Sequence, residues 1–240
     1  MALTPPRLAG YSLSNTPRRS LPREETGGVS LSGWCLTVRL VLFIDAQNVY
    51  RGARTAFLPS ERLILEPHVF GQINSWLLGQ IVSGRRVPDS PERVLHEVRV
   101  YTGRPDATRD PRTYAAHMKQ CAAWTKSGVT VIPRTLRYPP DYPNSRAEEK
   151  GIDVALAVDF VAYAIDGLCD VGVIVSTDTD LRPALEYVSR KCSNRCTPEV
   201  AAWRSSSARS RLSIKGTNVW CHWLYETDYN TVHDPTDYNL

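Results

Sequence analysis

No window of 18 uncharged apolar residues occurs in this 240-residue chain, which argues against a membrane-spanning helix. Cysteine is sparse and scattered, with six in all at Cys35, Cys121, Cys169, Cys192, Cys196 and Cys221. That pattern excludes a disulfide-stapled scaffold and fits reduced thiols in a cytoplasmic protein. The nearest approach to a zinc set, Cys192-x₃-Cys196 with Cys221-His222, lacks the short-knuckle spacing of such sites. His68, His96 and His117 stand alone and read as surface or core-edge residues rather than ligands. The first 37 residues lack a sustained period of 2 or 3.6, an apolar signal core, and any acid before Glu24. Their arginines up to Arg23 loosely suit a transit peptide, but Pro5, Pro6, Pro17 and Pro22 oppose an amphipathic helix. We therefore expect residues 1–37 to be a disordered extension, and the natural protein to start near Val38.

What is present suffices for a core. Hydrophobic residues make up 42% of the chain and charged ones 22%, ordinary values for a globular domain. The net charge of +4 and pI near 8.8 permit an anionic partner such as nucleic acid without demanding one. Short β-branched runs predict strands at Val38–Ile44, Arg93–Thr102, Val129–Ile132 and Val171–Val175, with Pro198–Trp203 as a fifth, edge strand. Between them lie helical patterns at residues 66–83 (Val69, Phe70, Ile73, Trp76, Leu77 and Ile81 on one face), from Asp110-Pro111 to Lys126, from Gly151 to Asp166, and from Leu181 onward with Pro183 in the first turn. Strands alternating with helices predict an α/β fold: a mainly parallel sheet of about five strands in a three-layer, Rossmann-like sandwich with crossover helices. The domain spans residues 38–203, and residues 204–240 form a C-terminal extension. That extension opens with a basic, serine-rich mobile loop over Arg204–Lys215, suited to a solvated surface or to tracking a phosphate backbone. Asn218–Tyr225 is aromatic and expected to pack, and the tail after Asp228 is expected to fray.

The chemistry lies at strand ends. Asp45 closes the first strand, with Asn48 three residues on. After Val171–Val175 come Ser176, Thr177, Asp178 and Asp180. Acids just past the carboxyl ends of buried strands sit where open α/β sheets hold their ligands. Each is also a good helix cap, so one alone reads equally well as structure. The helix opened by Lys150-Gly151-Ile152-Asp153 runs antiparallel to the strand that follows it, which brings Asp153 to the same rim. Asp159, about 9 Å further down the helix axis, reads as a pairing or surface residue. Asp45, Asn48, Asp153, Asp178 and Asp180 thus form one constellation of four carboxylates and an amide. Clustered carboxylates repel unless a cation sits with them, and hard oxygen donors select Mg²⁺ or Mn²⁺ over Zn²⁺. The polar loop Tyr138–Glu149 is a natural substrate-contacting segment.

Phe43-Ile44-Asp45-Ala46-Gln47-Asn48, Lys150-Gly151-Ile152-Asp153-Val154 and Ser176-Thr177-Asp178-Thr179-Asp180, in this order, resemble the NYN domain family, the LabA-like branch of the PIN-like nucleases. The resemblance covers about residues 38–203. It implies a PIN-like fold with an acidic Mg²⁺ or Mn²⁺ pocket and endoribonuclease activity on RNA, single-stranded for preference. Asp45, Asp153, Asp178 and Asp180 would bind or orient the metal, and Asn48 would fix the pocket. Lys150, Arg51, Ser176, Thr177 and Arg182 would meet the substrate. An activated water would attack phosphorus in line, leaving a 5′-phosphate and a 3′-hydroxyl. Two other readings stand beside it: a non-catalytic RNA-binding or regulatory module on the same fold, and a nucleotide-sugar transferase using Asp178-Thr179-Asp180 as a DxD motif. The latter leaves Asp45 and Asp153 without a role. The sequence leaves homo-oligomerisation open.

Overall fold

The computed structural model describes residues 37–58, 68–88 and 90–240. The expected extension at 1–37 therefore lies almost wholly outside the described residues. Strand β1 (Val38–Asp45) carries apolar side chains on both faces, the mark of a strand buried in the middle of a sheet. It pairs in parallel with β2 (Arg93–Arg104) on one side and β4 (Val171–Val175) on the other. Beyond β2 lies β3 (Thr130–Thr135), and beyond β4 lie β5 (Thr197–Trp203) and β6 (Cys221–Leu224). The sheet has six strands in the order β3-β2-β1-β4-β5-β6, all neighbours parallel. The expected count of about five falls one short, and β5 is interior rather than an edge. The reason is the short stretch Cys221–Leu224, where His222 and Leu224 alternate inward and hydrogen-bond the free side of β5. Four residues of period 2 are too short a signal to read from sequence.

Side-chain alternation along β1 splits the core into two layers. Leu40, Leu42 and Ile44 pack on one face with α1 (Ala46–Phe57), α2 (Ser75–Gly84) and Trp124 of α3 (Pro111–Lys126). Val41 and Phe43 pack on the other with α4 (Ile152–Asp166) and α5 (Arg182–Lys191). The three-layer α/β sandwich is thus present, with α3 capped by Asp110 and Pro111 as its composition predicts. The helix expected over 66–83 begins only at Ser75, capped by Asn74. Gly71, at φ +104°, sits in a backbone conformation that a right-handed helix cannot continue. The tail expected to fray after Asp228 instead folds as α6 (Glu226–Val232). Tyr229 from α6 is buried against Phe57, Phe70 and Trp203, a packing reward invisible in a polar stretch of sequence. No helix among the described residues is long and apolar enough to cross a membrane.

Candidate active site

The order of the sheet reverses direction at β1. Chain order runs outward from it to β2 and β3 on one side, and through β4, β5 and β6 on the other. Open α/β sheets leave a crevice at such a switch point, beyond the carboxyl ends of the strands. Ile44 is in register with Val175, so the next residues on each strand, Asp45 and Ser176, come side by side. Asp45 serves as cap and site residue at once. One carboxylate oxygen accepts from the Asn48 backbone N–H at 3.1 Å and caps α1; the other accepts from the Ser176 hydroxyl at 3.1 Å. Asn48 in turn ties α1 to the segment after β4, its side-chain oxygen accepting from the Thr177 N–H at 3.0 Å and hydroxyl at 3.2 Å. The Asp178 N–H donates to Ser176 Oγ, and its carboxylate accepts from the Asp180 N–H at 2.9 Å.

Asp45, Asn48, Ser176, Thr177 and Asp178 line a cavity of about 570 Å³, joined by Asp153, Arg51 and Glu149. Gly151, at φ +73°, turns the chain into α4 and sets Asp153 in its first turn. Burial pushes the Asp45 carboxyl above the usual aspartate range, and the charges of Asp178 and Asp153 push the same way, against the hydrogen bonds from Asn48 and Ser176. Glu149 is raised likewise, by burial first and then by Asp45, with the Gly103 N–H and Arg51 opposing. Asp45 therefore feels Asp153 and Asp178, and Glu149 feels Asp45, around a single cavity, an arrangement that a cation relieves.

The donor set fits a hard divalent ion: it is all oxygen, and two of its members are destabilised as anions. Among the described residues no three carboxylates, histidines or cysteines converge into a ready-made cage. An ion held here would keep much of its own water, as Mg²⁺ habitually does.

Of the residues expected at the site, the structure gathers Asp45, Asn48, Arg51, Asp153, Ser176, Thr177 and Asp178 around the cavity. It does not place Asp180, Lys150 or Arg182 on that lining; all three are exposed just outside. Asp180 sits in the 3₁₀ turn Thr179–Leu181, which carries it past the rim. Asp159 is a pairing residue, as its depth along α4 predicts, joined to Arg99 at 2.7 Å and Tyr101 at 2.8 Å. Sequence reasoning passed over Glu149, which the tertiary fold distinguishes from Glu148. Glu149 accepts from the Gly103 N–H at 3.2 Å at the end of β2, whereas the Glu148 backbone pairs with that of Arg137. It also passed over Ser207, Arg209 and Ser210 as cavity residues, although their basic, hydroxyl-rich segment stood out by composition. The cysteines with which a zinc site was compared pack in or against the apolar core layer on the α4 side.

A family model described as the NYN domain matches residues 39–211. No curated protein matches the chain significantly. Among solved structures, the crystal structure of a protein of unknown function from Vibrio parahaemolyticus aligns with a TM-score of 0.45 at 15% identity, over 78% of this chain and 98% of that one.

Proposed function

We propose a function from one premise: the chain belongs to the NYN domain family, within the PIN-like nuclease superfamily. On this reading the protein is a metal-dependent endoribonuclease that hydrolyses phosphodiester bonds in RNA, single-stranded RNA first, in the cytoplasm. One observation carries it. Adjacent strand ends bring Asp45 and Asp178 into one cavity with Asp153 and Glu149, and the buried members are uncomfortable as bare anions. Asp45, Asp153, Asp178 and Glu149 would hold Mg²⁺ or Mn²⁺. A bound divalent ion supplies an acidified water and neutralises charge on phosphate oxygens. The chain supplies the positioning. Ser176 fixes one oxygen of Asp45, the α1 N-terminus fixes the other, and Asn48 holds the Thr177 backbone so that Asp178 stays at the rim. Thr177 and Arg51, which line the cavity, would meet the substrate. Lys150 and Arg182, outside the cavity, would meet the flanks of a longer RNA, and Asp180, also off the lining, is left out of the metal set.

The test is incubation of the purified chain with end-labelled single-stranded RNA and Mn²⁺ or Mg²⁺, beside an Asp178→Asn variant and a chelator control. Cleavage that leaves 5′-phosphates and disappears in both controls is expected. RNA binding without cleavage would favour the non-catalytic module. Equal cleavage by wild type and variant would show the activity to be foreign to this site.

A further inference from the structure

Followed along α1, the cavity has a second end of opposite charge. Asn48, Arg51, Gly52 and Thr55 occupy positions i, i+3, i+4 and i+7 of α1 and all line it, while Val49, Ala53 and Ala56 of the same helix are buried. From Asn48 to Thr55 the helix rises about 10 Å, a distance that a phosphodiester backbone crosses in one or two nucleotide steps. The Asn48 end holds the carboxylates. At the Thr55 end stands Ser207, bonded to the Thr55 carbonyl, and its chain neighbours Arg209 and Ser210 line the same cavity.

The segment carrying these three residues follows β5 and is tied in place rather than trailing in solvent. The Ser207 hydroxyl donates to the Thr55 carbonyl at 3.0 Å. The Ser205 hydroxyl accepts from the N–H groups of Ser207 at 3.2 Å and Ala208 at 3.1 Å, and the Arg204 N–H donates to the Leu224 carbonyl at 2.7 Å. Arg51 and Arg209 are both exposed, and among the described residues neither stands in an ion pair. Arg209 and the hydroxyls at the Thr55 end have no carboxylate among them, and Arg51 stands one turn nearer Asn48, where its charge still reaches Glu149; guanidinium and hydroxyl donors are the chemistry that recognises a phosphate.

We propose that Arg51 and Arg209, with the hydroxyls of Thr55 and Ser210, form a subsite for the backbone phosphate neighbouring the scissile one in a single RNA strand. The inference rests on the ribonuclease reading and adds a polarity to it. The strand is anchored at the cationic end while the bond to be cut lies at the anionic end. It follows that the subsite holds RNA even when no divalent ion screens the carboxylates.

The experiment measures binding apart from cleavage. A short fluorescent oligouridylate is titrated with the full chain carrying Asp178→Asn, in chelator, at several salt concentrations, by fluorescence anisotropy. Each phosphate neutralised on a single strand contributes about 0.7 to the slope of log K against log salt. Arg51→Ala and Arg209→Ala should each lower that slope by about 0.7. Arg51→Lys and Arg209→Lys should retain it, and Arg190→Ala on the exposed face of α5 should leave it unchanged. A variant that merely loosened the fold would weaken binding at every salt without moving the slope, and thermal melting reports that case directly. Unchanged slopes in both alanine variants, or no binding by the parent, overturn the subsite. If the slopes fall while wild type never cleaves RNA, the subsite stands and the nuclease reading falls. If wild type cleaves but the slopes do not move, the reverse holds.

Discussion

Glu199 gives a sharp test of how the sheet beneath the site is held. At the amino-terminal edge of the sheet its carboxylate takes a bidentate pair of hydrogen bonds from Arg93 at 2.8 Å each, and it meets His222 Nε2 at 2.7 Å. The side chains of Arg93, Glu199 and His222 are 4%, 2% and 1% exposed. The triad joins β2 to β5 and β6, neither of which is a neighbour of β2 in the sheet. Replacing Glu199 with alanine leaves a buried guanidinium without its counter-charge and His222 without its partner. Removing one member of a buried ion pair costs about 3–5 kcal/mol. Arg93 and Glu199 also line a groove at this edge, and water entering there sets the cost towards the lower end. For a domain of this size about 3–5 kcal/mol corresponds to a fall of roughly 6–20 °C in melting temperature. Thermal and urea denaturation of Glu199→Ala beside wild type measure it.

The same argument predicts the opposite for joint replacement. Arg93→Met, Glu199→Leu and His222→Phe together leave no buried charge and should recover most of the loss. The triad also has a pH signature. Burial raises the Glu199 carboxyl, but the hydrogen bonds from His222 and Arg93 outweigh it and hold the group below the ordinary glutamate value of 4.5. Its stabilisation is therefore complete above that value and is lost as pH falls through the lower folded one. The gap between wild type and Glu199→Ala should narrow in acid. A loss under about 1 kcal/mol at pH 7, or a triple variant as weak as the single one, would refute the account of a buried charge left uncompensated.

Other consequences are open to direct measurement. Mn²⁺ at a hundredfold excess over its dissociation constant should stabilise the wild-type chain by about 2.7 kcal/mol, read as a rise in melting temperature that Asp178→Asn reduces or abolishes. Gly103→Ala should cut RNA cleavage by up to about 10²-fold. Its added Cβ would meet Leu136 Cδ2 at 2.5 Å and Glu149 Oε1 at 2.6 Å, pushing Glu149 from the cavity, and an unchanged rate would remove Glu149 from the site. Asn48→Ala should cost roughly 1–3 kcal/mol of stability by stranding the Thr177 N–H. Asn48→Asp, which keeps the accepting oxygen, should spare stability while adding a fifth negative charge to the cavity. Cys121 and Cys221, with thiols pushed up to about 11 by burial, should react slowly with thiol reagents at pH 8 in native protein and at ordinary rates once unfolded.

How much of this was legible in the chain depends on the range of the signal. The strands β1 and β4 were plain because a strand buried on both faces is apolar without interruption. Their terminal acids were plain because a cap and a ligand want the same residue type in the same place. Asp45 is both the cap of α1 and a residue of the cavity lining. Asp153 followed from the handedness of crossovers, a rule about topology that needs no coordinates. These are local patterns plus one chiral constraint, and they determined the α/β class and the acidic rim.

The remainder depended on contacts between segments far apart in the chain. β6 has too few residues to announce itself and exists because β5 offers an open edge. α6 looked like a polar tail until Tyr229 found Phe57, Phe70 and Trp203. Nothing in the sequence separates Glu149 from Glu148, or moves Asp180 away from Asp178; the backbone of Gly103 and a single 3₁₀ turn do so. Nor does composition say that Ser207 will reach back 152 residues to the carbonyl of Thr55 and close the far end of the cavity. Periodicity and capping act over a few residues and so fix elements. The second end of the cavity is made by segments that meet only when the sheet closes, and only the folded structure decides it.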